Sequence, residues 1–230
     1  MIATVTFLGH SGFSVEMARR VWVFDYYFGP SPQEALQFAA FPLVFASHSH
    51  HDHYQPEILA NWQQDCPRIK QVLSYEIPKV PGAVHLAPGD VWQGIGVKVT
   101  AFGSTDIGVS YLVESEGKVF YHAGDFNLWH WKDESTVQEV WQAKRVFERV
   151  LDSLAGISID MAFFPVDPRM GTDYDQGAEI FANTIRPKVL FPMHFGKDYE
   201  AAAAFASRVR VEGVMVLAPD YEGQSFNVEI

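Results

Sequence analysis

The sequence predicts an α/β fold, and three observations carry that prediction. The chain has 230 residues, 48% of them hydrophobic, which suffices for one sizeable core and makes a single domain over 1–230 the expected organisation. The segment ESTVQEVWQAKRVFERVLDSLA (134–155) has the spacing of an amphipathic helix. In it Val137, Val140, Trp141, Phe147, Leu151 and Leu154 recur every three or four residues, with Lys144 the one polar intruder. Both halves of the chain also combine β-rich runs with β–α alternation.

The elements follow in order. ATVTFLG (3–9), GFSVEMA (12–18) and RVWVFDYY (20–27) are short β-branched and aromatic runs split by turns, as in three strands of an antiparallel opening. FPLVFAS (41–47) is continuously apolar, which suits a strand buried on both faces. QPEILANWQQD (55–65) has helical spacing. IKQVLSY (69–75), AVHLAP (83–88), GVKVTAF (96–102), GVSYLVES (108–115) and KVFYHAG (118–124) then read as strands punctuated by Gly, Pro and Asp. Beyond the amphipathic helix, strands MAFFPV (161–166), KVLFPM (188–193) and VMVLAP (214–219) alternate with helical DQGAEIFANTI (175–185) and EAAAAFASRV (200–209). Segments 28–42 and 125–135, rich in aromatic and polar residues, are expected to be loops that cover a site.

Composition removes several function classes. A formal net charge of −11 gives no basic footprint for nucleic acid or an anionic membrane, and leaves a small-molecule substrate, including an anionic one, as the expected partner. No apolar stretch approaches the roughly 20 residues of a membrane span, and MIATVTFLGHSGF lacks the basic and apolar regions of an export signal, so the expected location is the cytoplasm. Cys66 is the single cysteine, which excludes an internal disulfide and a Cys-based zinc site and fits a buried bystander.

The chemistry concentrates in VFASHSHHDHYQPE (44–57). Four of the nine histidines and an aspartate fall within six residues there, at the end of the buried run. His48, His50, Asp52 and His53 form H-x-H-x-D-H. Residues two apart in an extended segment project to one side, while the next pair turns toward a neighbouring point, an arrangement suited to two nearby metal ions. Neutral imidazole and carboxylate hold zinc, manganese or iron in open sites, and two ions about 3.5–4 Å apart share a hydroxide.

This pattern resembles the metallo-β-lactamase superfamily, in the branch that includes ascorbate-phosphate lactonase-like hydrolases. FLGHSGF (7–13) and VFDYYFG (23–29) are similar to its opening strands, and MAFFPVDPRMGTDYDQG (161–177) to its later part. YHAGDFN (121–127) resembles the strand end whose aspartate, here Asp125, bridges two metals. LFPMHFG (190–196) resembles the strand whose histidine, here His194, completes the second metal site. The resemblance implies an αβ/βα four-layer sandwich and a centre of one or two divalent ions, zinc first and manganese or iron as alternatives. Its ligands would be His48, His50, Asp52, His53, Asp125 and His194, with Asp52 also catalytic.

One departure matters: relatives carry another metal-binding histidine where this chain reads VKVTAFGSTDIG, with Gly103 at that position. Asp106 is a candidate substitute, against an Asx-type turn; His122 and His130 are further candidates, as ligands or in support of ligands. His10 stands between a role beside the metals and a structural hydrogen bond. Asp25 is expected to orient the histidine loop, because ligating histidines need their other N–H held. His51 and His85 are expected not to be ligands. Trp129, with neighbouring Phe126, His130 and Trp131, is a candidate pocket lining, and Arg169 and Lys197 are the candidates for gripping an anion. The expected function is hydrolysis by a metal-bound hydroxide of a small ester, lactone, amide or phosphodiester. The alternatives are a metal-binding sensor with a decayed site, and an iron-dependent oxidoreductase on the same fold.

Overall fold

Period-two alternation in the buried strands decides how the chain layers. In the computed structural model, which describes residues 1–230, β3 (Arg20–Phe24) sends Trp22 and Phe24 into one core and Val21 and Val23 into another. Strand β4 (Phe41–Ala46) divides Leu43 and Phe45 from Val44 and Ala46 in the same way. Alternate side chains leave opposite faces of a strand. FPLVFAS is thus covered on both sides, as its composition predicts.

Two seven-stranded sheets result. The first runs β14 (Ser225–Glu229), β1 (Ile2–Gly9), β2 (Gly12–Met17), β3, β4, β5 (Lys70–Ser74), β6 (Val84–Leu86). The second runs β13 (Met215–Val216), β12 (Val189–Met193), β11 (Met161–Pro165), β10 (Lys118–His122), β9 (Ser110–Ser115), β8 (Val97–Phe102), β7 (Val91–Gly94). Aromatic pairs join their inner faces, with ring centroids 4.6 Å apart for Phe13 and Phe163 and 4.9 Å apart for Trp22 and Phe120. Helices α1 (Gln33–Phe38) and α2 (Pro56–Asp65) cover the first sheet through Leu36, Leu59 and Trp62. Helices α3 (Val137–Asp152), α4 (Gln176–Ile185) and α5 (Tyr199–Arg208) cover the second through Phe147, Phe181 and Phe205. The layers are helix, sheet, sheet, helix, the αβ/βα sandwich.

Each sheet passes from antiparallel to parallel pairing. Strands β3 to β6 are parallel in the first sheet and β10 to β13 in the second. Open α/β sheets bind ligands beyond the C-terminal ends of such strands.

Several expectations change in detail. Segment 28–42 contains α1, which buries Leu36 in the smaller core. VMVLAP keeps only two residues in β13, and β7 and β14 are strands with no expected counterpart. The buried line of α3 and its extension is Phe147, Leu151 and Leu154, while Val137 and Trp141 are 88% and 56% exposed. Lys144 is no intruder: it lies in solvent 3.9 Å from Glu148, one turn on.

Candidate metal centre

Strand ends and one turn bring the polar residues together. The 48–53 segment follows β4, Asp25 follows β3, Asp125 follows β10, Asp167 follows β11, His194 follows β12, and His10 sits in the β1–β2 turn. His10, Asp25 and His194 have φ of 53°, 41° and 66°, a left-handed conformation that costs non-glycine residues on the order of 1–3 kcal/mol and is retained at sites where surrounding structure enforces it. Here the enforcing contacts include backbone hydrogen bonds from His194 N to His10 O at 2.9 Å and from Asp25 N to Phe45 O at 3.0 Å. Gly124, at φ 55°, lets the Asp125 loop approach: a Cβ there would lie 2.7 Å from Ser47 Cβ.

Hydrogen bonds around the histidines fix which ring nitrogen faces inward. Buried Asp25 accepts the Ser47 N–H at 2.7 Å, the Ser47 hydroxyl at 2.6 Å and the His53 Nδ1–H at 2.8 Å. With its hydroxyl proton given to Asp25, Ser47 Oγ accepts from His48 Nδ1 at 3.0 Å. Buried Asp167 accepts from His194 Nδ1 at 3.1 Å. His48, His53 and His194 therefore turn Nε2, the nitrogen that can ligate a metal, into one space.

Carboxylates face those nitrogens. Asp125 Oδ1 lies 3.2 Å from both His53 Nε2 and His194 Nε2, and Asp125 Oδ2 lies 3.5 Å from His48 Nε2. His10 Nε2 is 3.3 Å from Asp52 Oδ2. His10 Nε2, His53 Nε2 and Asp125 Oδ1 are all buried and make no hydrogen bond. Buried polar atoms left in this state are costly, and imidazole nitrogens this close to carboxylate oxygens call for a shared proton or a bound cation. Ligand atoms of His10, Asp52, His53 and His194 lie within 4.8 Å of one another, as do those of His48, His53 and Asp125, and those of His50, Asp106 and Asp125. The donors fit divalent ions at two adjoining places, with Asp125 between them.

Electrostatics poise the same groups. Burial and the neighbouring His53 charge hold the His48 pKa down to about 4, so its imidazole is neutral at pH 7. Burial would lower His194 too, but the charges of Asp125 and Asp167 push it up to about 10, so in the metal-free chain its Nε2 carries a proton toward Asp125 that a bound cation would displace. Burial raises the Asp167 carboxyl, yet hydrogen bonds from His194 and Arg169 hold it at about 2. His50, whose Nδ1 donates to His48 Nε2 at 2.9 Å, is exposed at the mouth.

A cleft of about 360 Å³ opens onto these donors, lined by His50, Asp52, Thr105, Asp106, Asp125, Trp129, Trp131, Arg169 and His194. Larger grooves lie elsewhere, but they lack converging ligands. Trp129 donates its indole N–H to Asp125 O at 2.7 Å and sets its ring edge-on to His194, with centroids 5.5 Å apart. Phe126 and His130 are buried away from the cleft lining, Phe126 against Phe147 at 5.1 Å. Arg169 grips Asp167 through Nε and Nη2 at 2.9 and 2.6 Å, and its side chain is 63% exposed at the cleft. Lys197 lines the neighbouring groove, which meets the cleft at Arg169.

Two candidate ligands stand apart. His122 Nε2 donates to Ser11 O at 2.9 Å, its Nδ1 accepts from Gly124 N at 3.2 Å, and its ring stacks on Phe24, so both nitrogens are occupied. His130 belongs to none of the three donor groups. His51 is 80% exposed, and His85 contacts Ser74 O and Val80 N. Sequence reasoning missed Ser47, Thr105 and Asp167. The signal for Asp167 was its place just past a buried parallel strand, where Asp25 also stands.

The fold and site define a sandwich with a cluster of potential metal donors at the shared edge of its sheets. Residues 4–139, more than half of the chain, match the β-lactamase superfamily domain, and the chain belongs to that family. A UPF0173 metal-dependent hydrolase of Opitutus terrae is 28% identical to it, over 94% of this chain and 96% of the relative. Igni18, a metallo hydrolase of Ignicoccus hospitalis, superposes with a TM-score of 0.73 at 18% identity over 100% of both chains. The metallo-β-lactamase fold protein YhfI of Bacillus subtilis does so at 0.66 and 13%, over 99% of both. The two structural likenesses bear on the fold.

Proposed function

We propose that this protein is a metal-dependent hydrolase of a small ester, lactone, amide or phosphodiester substrate that carries an anionic group. The observation that carries this reading is the convergence of buried, hydrogen-bond-free His10 Nε2, His53 Nε2 and Asp125 Oδ1 on one space. The family and the metal-dependent hydrolase from Opitutus terrae support it. Asp52, His53, Asp125 and His194, joined by His10, would hold one ion, and His48, His50 and Asp125 would contribute to the other. Zinc is the first expectation, with manganese or iron suited to the same donors.

Bound there, such ions supply a Lewis acid for the oxygen under attack and bring the pKa of water from 15.7 toward about 7 in the case of zinc. The chain's residues do the rest. Asp25 and Asp167 keep three imidazoles in the ligating tautomer. Asp52, partly exposed at the cleft, is placed to accept a proton from attacking water. Trp129 and Trp131 give one wall an apolar surface for a ring or alkyl group, and Arg169 supplies a guanidinium for the anion. The net charge of −11 supports a small substrate over nucleic acid. The survival of Asp52, His53, Asp125 and His194 together favours hydrolysis over the sensor reading, because a decayed site would lose more than one donor.

The test is hydrolysis of a panel of lactones, carboxylic esters, amides and phosphodiesters with zinc, manganese or iron added, and again after chelation. The expected result is metal-dependent turnover of an anionic member, and in Arg169→Ala a KM raised about tenfold for that substrate but not for its neutral analogue. Metal-loaded protein that hydrolyses no member would favour the sensor reading.

A further inference from the structure

The structure assigns a fourth donor to the first ion: we propose that Asp106 joins His48, His50 and Asp125, making a carboxylate-rich and exchangeable metal position beside the buried one. This rests on the metal-dependent reading above and gives the composition of its weaker half.

Ligand atoms of His50, Asp106 and Asp125 lie within 4.8 Å of one another, the span of donors around one ion. Fully buried His48 aims its Nε2 at the same place, where it accepts a hydrogen bond from His50 Nδ1 at 2.9 Å and lies 3.5 Å from Asp125 Oδ2. Asp106 arrives there because its loop is fastened to both ligand-bearing loops. Thr105 Oγ1 donates to Asn127 O at 2.6 Å and accepts from Asn127 N at 2.9 Å, which ties the loop to the Asp125 segment. Gly108, at φ 82°, packs against the histidine segment so closely that a Cβ would lie 2.5 Å from His48 Cβ. Between these anchors the Asp106 backbone N–H is held by Ser104 Oγ at 3.3 Å. The Asp106 carboxylate lines the cleft, and no cationic side chain pairs with it.

The two positions then differ in kind. The second draws on His10, Asp52, His53, Asp125 and His194, none of them exposed, whereas His50 and Asp106 of the first are exposed. A carboxylate where the resemblance implies an imidazole also hardens the first position, which narrows the advantage of zinc over manganese there. The second ion should fill first, and the first should exchange.

The experiment counts ions bound to metal-free protein dialysed against buffered Mn2+ or Zn2+, by elemental analysis. Wild type should take two ions, one more weakly. Asp106→Asn should keep the tight ion and lose affinity for the weak one by at least tenfold, roughly the effect of removing an outer-shell partner. Asp106→His should recover the weak ion with Zn2+ more than with Mn2+. An unchanged circular dichroism spectrum and thermal midpoint in the metal-free variants separate ligand loss from unfolding. Two ions of unaltered affinity in Asp106→Asn, or a single ion in wild type, would overturn the assignment and leave the hydrolase reading standing. No ion in wild type would overturn both.

Discussion

At the scale of single residues, the candidate ligands and the groups that hold them were unequally visible. His48, His50, Asp52 and His53 stand within six residues, so their joint chemistry shows in the local pattern alone. Ser47, Thr105 and Asp167 gain their roles from contacts across the chain: Asp167 meets His194 27 positions later, and Thr105 meets Asn127 22 positions later. No local pattern records such a meeting. His122 misled for the same reason, since the Ser11 carbonyl that occupies its Nε2 lies 111 positions away. These contacts yield a prediction. Asp167→Asn removes the carboxylate that holds the His194 tautomer and releases Arg169, so metal affinity should fall about 10- to 100-fold. Competition with a chelating dye measures it, and wild-type affinity in the variant would contradict the orienting role.

At the scale of elements, periodicity located α3 but did not orient it. An apolar repeat marks a helix, but which of its apolar residues are covered depends on the sheet beneath, and here Phe147 is buried while Trp141 is not. Phe147→Ala should cost about 3–5 kcal/mol of stability, and Trp141→Gln should stay within about 0.5 kcal/mol of wild type. Denaturant unfolding compares them, and equal losses would contradict the orientation. The helix starts with a capping box in which Thr136 N–H reaches Glu139 Oε2 at 2.8 Å and Thr136 Oγ1 accepts from Glu139 N at 3.3 Å. Short α1 and edge strand β14 were missed because neither carries enough periodic residues to stand out from a loop.

A pH-sensitive tie belongs to the same scale. Asp160 accepts the Val119 N–H of β10 at 2.9 Å and pairs with Lys188, just before β12, at 2.7 Å. Burial opposes its charge, but the Lys188 and Val119 hydrogen bonds outweigh burial and lower its pKa. A carboxylate with a lowered folded pKa stabilises fully above its unfolded value of about 3.9 and loses that contribution as pH falls through the folded value. Asp160→Asn should therefore be less stable than wild type at pH 7 by about 1 kcal/mol. Thermal midpoints should converge as the pH drops below about 3.9, and a constant gap down to pH 2 would contradict the tie.

At the scale of the molecule, the two sheets meet at the site, and metal should hold them together there. The first sheet brings His10, Asp25 and the 48–53 segment; the second brings Asp125, Asp167 and His194. The sandwich was legible from motif order, which spans both halves, while the pairing of the edges was not, because it depends on strands of only two to five residues. An ion that binds only the folded chain stabilises it by about 4 kcal/mol at a thousand times its Kd. Saturating metal should thus raise the thermal midpoint of wild type, and His194→Ala should lose most of that gain.

The most direct measurement of the central claim is anomalous diffraction at the absorption edge of the bound metal, from crystals of the metal-loaded protein. Two peaks flanking Asp125 are predicted, one among His10, Asp52, His53 and His194 and the other among His48, His50 and Asp106. Fully loaded protein with no peak beside Asp125, or with its ions bound elsewhere, would contradict it.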